Sequence, residues 1–403
     1  MRIVQLVPSL EGGELAQEAL EFAQELARQG HESIVISAGG SLVSRLTLHN
    51  CQHHELPVDH KRFFNARLHG KLRRLLETLH VDILLARDAL CSWHGWKVWQ
   101  SMPEVTRPRF VTVLHTLPAG GLLRGRTSTA LVRGELVLAS SQALARDLRQ
   151  RHGAVFDTLH TTSVGDGAAE NPGLRVHYRG VNIRELDRRA PVSGHWHQKL
   201  LNQFPQLEGR NWLLLPAPIA PGNGQERFLE LLAALKQVRP DAFGLIVGEV
   251  AAGHEKFARN LEHRAEAMGL AEHVLFLGAR RDMRELYASA RVTLDLADNP
   301  AATGRIVTES LAMGCPAVAL AGTGVELLQQ CFPQGVLPDC GSKNGAAQLA
   351  QLTDTCMSIL DNPLNVNFTG FSLAETTAQA VSWFRLLREE RVANDGPDVV
   401  ETA

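Results

Sequence analysis

The first forty residues leave this chain little choice of fold. Ile3 to Val7 is a short apolar run, the pattern of a buried strand. Gly12-Gly13 breaks it. From Glu14 to Gln29 the apolar positions Leu15, Ala19, Leu20, Phe22, Ala23, Leu26 and Ala27 recur at helical spacing, and Gly30 stands at the C′ position that ends such a helix. Ser33 to Ser37 reads as a second apolar strand, and Ala38-Gly39-Gly40 as the next turn. Strand, glycine turn, helix, strand is a βαβ unit. Its strands are parallel and its crossover right-handed.

The alternation continues. Helices are predicted at Leu68–Leu79 and Gln142–Arg151, and strands at Val81–Ala86, Arg109–Leu114, Glu135–Ala139 and Arg175–Tyr178. Residues 157–173 are rich in Gly, Ser and Asn and read as a loop. A second series begins near Asn211. Its strands are Trp212–Leu215, Gly244–Val247, Val274–Leu277, Val292–Leu296 and Ala317–Leu320. Its helices are Gln225–Gln237, Lys256–Met268, Met283–Ala290 and Gly304–Met313, with a last helix at Val381–Glu390. The pattern is α/β: two successive doubly wound, Rossmann-like halves joined near residues 183–210. Ligands of such sheets bind beyond the carboxyl ends of the strands, and two such domains facing each other leave a cleft between them. The expected division is residues 1–185, residues 186–375, and a C-terminal helix in residues 376–403 that packs back on the first domain.

Bulk properties exclude several classes. At 403 residues the chain is long enough for two domains. A net charge of -2 argues against a dedicated nucleic-acid binder. Six scattered cysteines, Cys51, Cys91, Cys315, Cys331, Cys340 and Cys356, form no C-x-x-C pair and read as free thiols in a reducing compartment. No metal site is visible. No secretory leader is read at the start, and no run of apolar residues is long enough to span a bilayer.

Six segments, in order, carry a family resemblance: LVPSLEGGELAQEALEFAQELARQGHESIVISAGG, RFVTVLH, GELVLASSQALARDL, VHYRGVNIRELD, HVLFLGARRDMRELYASARVTLDLA and GRIVTESLAMGCPAVALAGTGVELL. Together they resemble bacterial family 4 retaining glycosyltransferases of the GT-B fold, of the type that builds lipopolysaccharide and other surface glycans. The resemblance covers nearly the whole chain. It implies a first domain for the acceptor and a second for a nucleotide-sugar donor, UDP- or GDP-linked, with no metal required. The acceptor would be a glycan or glycolipid. The place implied is the cytoplasm, with peripheral contact at the cytoplasmic face of the inner membrane.

Such chemistry builds negative charge on the departing diphosphate, so it needs cations or oriented N–H groups there. The resemblance assigns the donor site to Gly12 and Gly13, to Gly304 and Glu309, and to Glu326, with His115 placed near the donor sugar as the catalytic candidate. Glu309 would hold the ribose hydroxyls. Three expected anchors are absent. Pro218 stands where the family has Arg, Asn223 where it has Lys, and Ala301 where it has Glu. Arg280, Arg281 and Arg305 are the nearest candidates to replace the lost cations, each with the competing reading of a solvated surface arginine. Anions favour the helix end that Gly304 opens.

Basic residues cluster in the first half at Lys61, Arg62, Arg67, Lys71, Arg73 and Arg74, and again at Arg124, Arg126 and Arg133. They suit a phosphorylated acceptor or an anionic membrane surface, or merely a solvated helix face. Trp93, Trp96 and Trp99 read as core or as sugar platforms. Two functions therefore stand open: an active glycosyltransferase, and a non-catalytic relative retained as a binding or scaffold subunit. A GT-B phosphatase or epimerase is disfavoured by the lack of an evident carboxylate or His constellation.

Overall fold

The computed structural model describes residues 1–59, 65–115, 130–159, 173–298, 304–320, 322–337, 345–362 and 366–394. The chain divides into two compact units, Met1–Gly180 together with Leu373–Ala403, and Val181–Ser372.

The first unit runs β1 (Arg2–Leu6), α1 (Glu14–Arg28), β2 (Glu32–Ser37), α2 (Val43–Thr47), β3 (Gln52–Glu55), α3 (Ala66–Thr78), β4 (Ile83–Ala86), α4 (Ala89–Ser101), β5 (Arg109–Leu114), β6 (Leu136–Ala139), α5 (Gln142–Leu159) and β7 (Leu174–Val176). Among the described residues its sheet is seven-stranded and parallel, in the order β3-β2-β1-β4-β5-β6-β7. Val4 pairs with Ile34 on one side and Leu84 on the other. The order reverses between β1 and β4, which is where a doubly wound sheet opens its ligand crevice.

Local chemistry sets the element ends. Gly13 precedes α1 at φ 84°, and Gly30 follows it at φ 81°, both in the left-handed half of backbone space that favours glycine. Gly40 is required for a second reason: a Cβ there would lie 2.2 Å from the Leu10 carbonyl carbon. Asn65 caps α3 by accepting from the Leu68 N–H at 3.1 Å, and Asp88 caps α4 by accepting from the Cys91 N–H at 2.6 Å. One face of the sheet buries Leu72, Leu76, Trp93, Trp96 and Phe110, so the first two tryptophans of α4 are core residues. The other face buries Phe22, Leu26, Val111 and Leu138.

The second unit runs α6 (Gly194–Gln203), β8 (Asn211–Pro216), α7 (Gln225–Leu235), β9 (Ala242–Val247), α8 (Glu255–Ala267), β10 (Val274–Gly278), α9 (Met283–Ser289), β11 (Val292–Asp295), α10 (Arg305–Ala312), β12 (Ala317–Ala319), α11 (Thr323–Cys331) and α12 (Gly345–Asp361). Its parallel sheet is β10-β9-β8-β11-β12, again reversing beside the first strand, between β8 and β11. The chain then returns to the first unit as α13 (Leu373–Asn394), which buries Ala380, Val381, Phe384 and Leu387 against the Phe22 face.

The structure corrects the sequence reading in several places. Residues 183–210, near which the halves were expected to join, include α6 and fall in the second unit. The helix expected to end at Arg151 continues through a kink at His152 to Leu159, so residues 157–159 are helical rather than loop. Residues 160–172 of that expected loop lie outside the described residues. The strand expected at Arg175–Tyr178 is shorter and shifted, at Leu174–Val176. The last helix begins at Leu373 rather than Val381. The five described cysteines are free thiols. No helix among the described residues is long and apolar enough to cross a membrane.

Candidate functional site

In the second unit the crevice end of the sheet is built by α10 and α11, which start close together. Gly304 precedes α10 at φ 72°, and Gly322 precedes α11 at φ 73°. The approach is tight: a Cβ on Gly304 would lie 2.6 Å from Leu327 Cδ1, and one on Gly324 would lie 2.9 Å from Val307 Cγ2. Neither helix has a side-chain cap, so their first N–H groups are directed outward from the helix ends. Each such end carries roughly half a positive charge. Glu326 lies in the first turn of α11.

Glu309 lies one turn into α10 and is already engaged on both oxygens. Arg305 Nε donates to Oε1 at 2.5 Å, and the Tyr287 hydroxyl donates to Oε2 at 3.1 Å. Tyr287 is fully buried on α9, and burial together with the Glu309 charge pushes its phenol well above its ordinary range. Tyr287 therefore stays a hydroxyl donor and fixes the carboxylate plane. Arg305 is the more exposed partner, its side chain 40% exposed against 16% for Glu309.

The loop after β8 is closed on itself. Asn223 Nδ2 donates to the Pro218 carbonyl at 2.9 Å, and Gln225 Nε2 donates to the same oxygen at 2.7 Å. Where charged anchors were expected, this loop spends its side chains on its own backbone. Gly224 must be glycine, because a Cβ there would lie 2.5 Å from Leu296 Cβ. Ala301 lies outside the described residues.

Arg280 and Arg281 follow β10, the edge strand. It lies two strands from β8, about 10 Å at ordinary strand spacing. Arg280 is bound to Asp282 through Nε at 2.9 Å and Nη2 at 2.5 Å. Asp282 also accepts from Trp196 Nε1 at 2.7 Å. Burial would raise the Asp282 carboxyl, but these bonds hold it below its ordinary range. Arg280 thus braces the start of α9. Arg281 is exposed. The sequence offered both as replacements for the lost cations; in the structure they follow the edge strand, two strands from β8.

In the first unit the crevice end holds a buried ionic cluster that sequence reasoning missed. Glu18, on α1, accepts from Arg87 Nη1 at 2.9 Å, and Arg87 Nε donates to Gln5 Oε1 at 2.5 Å. The Arg87 and Glu18 side chains are 2% and 10% exposed. Arg87 follows β4, and His115 follows β5. His115 Nε2 faces the second oxygen of Glu18, Oε2, at 3.3 Å. Arg179, just beyond β7, donates to Glu21 at 3.0 Å and reaches Glu14 at 3.5 Å. His177 contacts the Thr376 carbonyl at 3.0 Å through Nε2. Burial would raise the Glu18 carboxyl, but His115, Arg87, Arg179 and His177 hold it down from 4.5 to about 2. Burial lowers His177 and favours its neutral form. Gly12 (φ 142°) and Gly13 form the exposed turn that leads into α1. No signal short of the fold pairs Glu18 with Arg87, which are 69 positions apart.

Of the basic clusters, Arg67, Lys71 and Arg74 are exposed on α3, and Arg73 pairs with Glu77 at 2.8 Å. Arg133 lies over the Trp96 ring at 4.8 Å. Lys61, Arg62, Arg124 and Arg126 lie outside the described residues.

Residues 16–163 match the family model "Glycosyltransferase Family 4", and residues 198–352 match "Glycosyl transferases group 1". The two matches fall one on each unit. Each unit thus matches a glycosyltransferase family model, the first that of family 4, and the fold is the GT-B fold of glycosyltransferases. The crystal structure of a glycosyltransferase from Rickettsia africae ESF-5 is similar over 96% of this chain and 98% of its own, with a TM-score of 0.74 at 18% identity. Anabaena Alr3699/HepE in complex with UDP-glucose covers 97% of this chain and 99% of its own, at TM-score 0.66 and 21% identity. WaaG, a glycosyltransferase involved in lipopolysaccharide biosynthesis, covers 98% and 96%, at TM-score 0.61 and 16% identity. At those identities the likeness is one of fold. A curated relative in Bacillus subtilis (strain 168), EpsD, a glycosyltransferase by designation, is 30% identical over 158 residues. That match spans 38% of this chain and 39% of the relative.

Proposed function

We propose that this GT-B protein transfers a sugar from a UDP- or GDP-linked donor to a glycan or glycolipid of the bacterial surface, such as a lipopolysaccharide core, with retention of configuration. The observation that carries this reading is α10: a glycine-opened helix end with a carboxylate one turn behind it. Its N–H groups suit the diphosphate, and Glu309 suits the ribose hydroxyls. For both to act, Arg305 must leave Glu309 on donor binding. Its guanidinium, on the residue after Gly304, then becomes available to the diphosphate as charge builds on the leaving group. One displaced ion pair thus uncovers a ribose acceptor and supplies a cation. Each oriented donor at such a site contributes about 3–4 kcal/mol to the transition state. His115, at the carboxyl end of β5, is the proposed sugar-facing residue. The likeness to Alr3699/HepE in complex with UDP-glucose supports a nucleotide-sugar donor. The work would be done in the cytoplasm, at the inner face of the membrane, with the exposed cations of α3 turned toward the anionic acceptor or surface.

The closed loop at Pro218 favours a second reading, a binding subunit without transferase activity. Neither Asn223 nor Gln225 offers a charge to phosphate, and both amides are bound to the Pro218 carbonyl. Restoring the cations separates the two. If the loop limits the rate, Pro218→Arg combined with Asn223→Lys raises hydrolysis of the matching sugar nucleotide. A double variant as inert as the parent supports the binding subunit.

A further inference from the structure

The buried cluster of the first unit has a feature that its charge balance does not explain. His115 has both ring nitrogens buried, and neither makes a hydrogen bond among the described residues. Glu18 Oε2 is likewise buried without one. These two unsatisfied groups face each other at 3.3 Å.

We propose that Glu18 is a positioning residue that holds His115 in the Nε2–H tautomer, leaving Nδ1 as a hydrogen-bond acceptor for a hydroxyl of the bound sugar. The argument is electrostatic. The other oxygen of Glu18 is bound by Arg87, so Oε2 is the one turned to the ring. Four groups surround this carboxylate, His115, Arg87, Arg179 and His177; with both rings neutral, the two guanidinium groups keep it ionised. The two atoms are not aligned as a hydrogen bond, but at that distance an anion still repels a lone pair on the near nitrogen and attracts an N–H there. Nε2 therefore carries its hydrogen, and in the neutral ring the lone pair sits on Nδ1. A buried acceptor with no partner is unfavourable, and a ligand O–H relieves it. A sugar presents such hydroxyls; a diphosphate does not.

Arg87 makes the exchange Glu18→Gln informative. Its guanidinium only donates, so it keeps the amide oxygen of Gln and turns the NH2 toward His115. The ring must then accept at Nε2, and its hydrogen moves to Nδ1. The residue next to the sugar changes from acceptor to donor with no change in volume.

The experiment is 15N–1H correlation NMR of the full chain labelled at histidine, at pH 8, with the His115 signals assigned by their loss in His115→Gln. The expected wild-type result is the Nε2–H tautomer, converting to Nδ1–H in Glu18→Gln. An Nδ1–H tautomer in the wild type overturns the proposal even if the variant fails to fold. An unchanged tautomer in a folded variant does so too. The sugar-facing role rests on the donor reading above and is tested separately, by titrating UDP-glucose against UDP and GDP-mannose against GDP. The extra affinity conferred by the sugar should fall about fivefold in Glu18→Gln, with the free diphosphate bound as before. Equal sugar increments in both proteins refute that role. If the wild type shows the expected tautomer yet binds none of the four, the donor reading fails and the tautomer assignment stands.

Discussion

Two carboxylates decide most of what the single residues do. Glu18 is a buried counter-ion, and breaking its pair strands Arg87 in a dry environment. Glu18→Gln is therefore expected to cost about 3–5 kcal/mol in urea unfolding of the first unit, far more than an exchange at an exposed helical Glu. A loss below 1 kcal/mol contradicts the pair's burial. Glu309 is held from below by Tyr287, so Tyr287→Phe should cost about 1 kcal/mol of stability and weaken nucleotide binding without abolishing it. Glu309 was singled out in the sequence by its match to a family position, in a helix that a glycine opens. Glu18 was not: its chemistry is set by Arg87 and His115, which reach it from two other strand ends. A sequence shows a helical Glu and two residues after apolar runs, and only the sheet order brings the three together.

At the scale of elements, glycines and apolar runs carried the reading. β1, α1, β2 and α10 were visible because a buried parallel strand is a continuous apolar run and each helix is bounded by glycine. β3 was not, because Gln-His-His-Glu on a half-exposed edge has no apolar run. α4 was missed because it buries Cys91, Ser92, Trp93, His94, Gly95, Trp96 and Val98 and so shows no polar face. The tight start of α10 gives its own prediction. Gly304→Ala forces a Cβ into Leu327 and an L-residue into positive φ, at an expected cost of about 2 kcal/mol in the second unit, read by thermal unfolding. Acid acts on the first unit instead. The Glu18 carboxyl is depressed in the folded chain, so its stabilisation is full above pH 4.5 and is lost as pH falls from there toward about 2. His177 is buried neutral, and its contribution also falls as acid protonates the unfolded chain first. The first unit should therefore lose stability steadily below neutrality. A first unit as stable at pH 4 as at pH 7 contradicts this.

For the whole molecule, the chain's return after the second unit completes the core of the first. Val381, Phe384 and Leu387 on α13 lie against Phe22, Leu26 and Val113. Ending the chain at Ser372 removes several buried apolar side chains worth about 1.5–3 kcal/mol each. The truncated chain is expected to unfold in its first unit, seen as loss of cooperative melting, while the second unit keeps its own transition. The function depends most directly on whether Glu309 holds a nucleotide once Arg305 lets go. The deciding measurement is calorimetric titration of the full chain with UDP, GDP and ADP, beside Glu309→Ala. Binding of UDP or GDP, lost in the variant, is the expected result. No binding at millimolar nucleotide, or equal binding by Glu309→Ala, contradicts a donor site on α10.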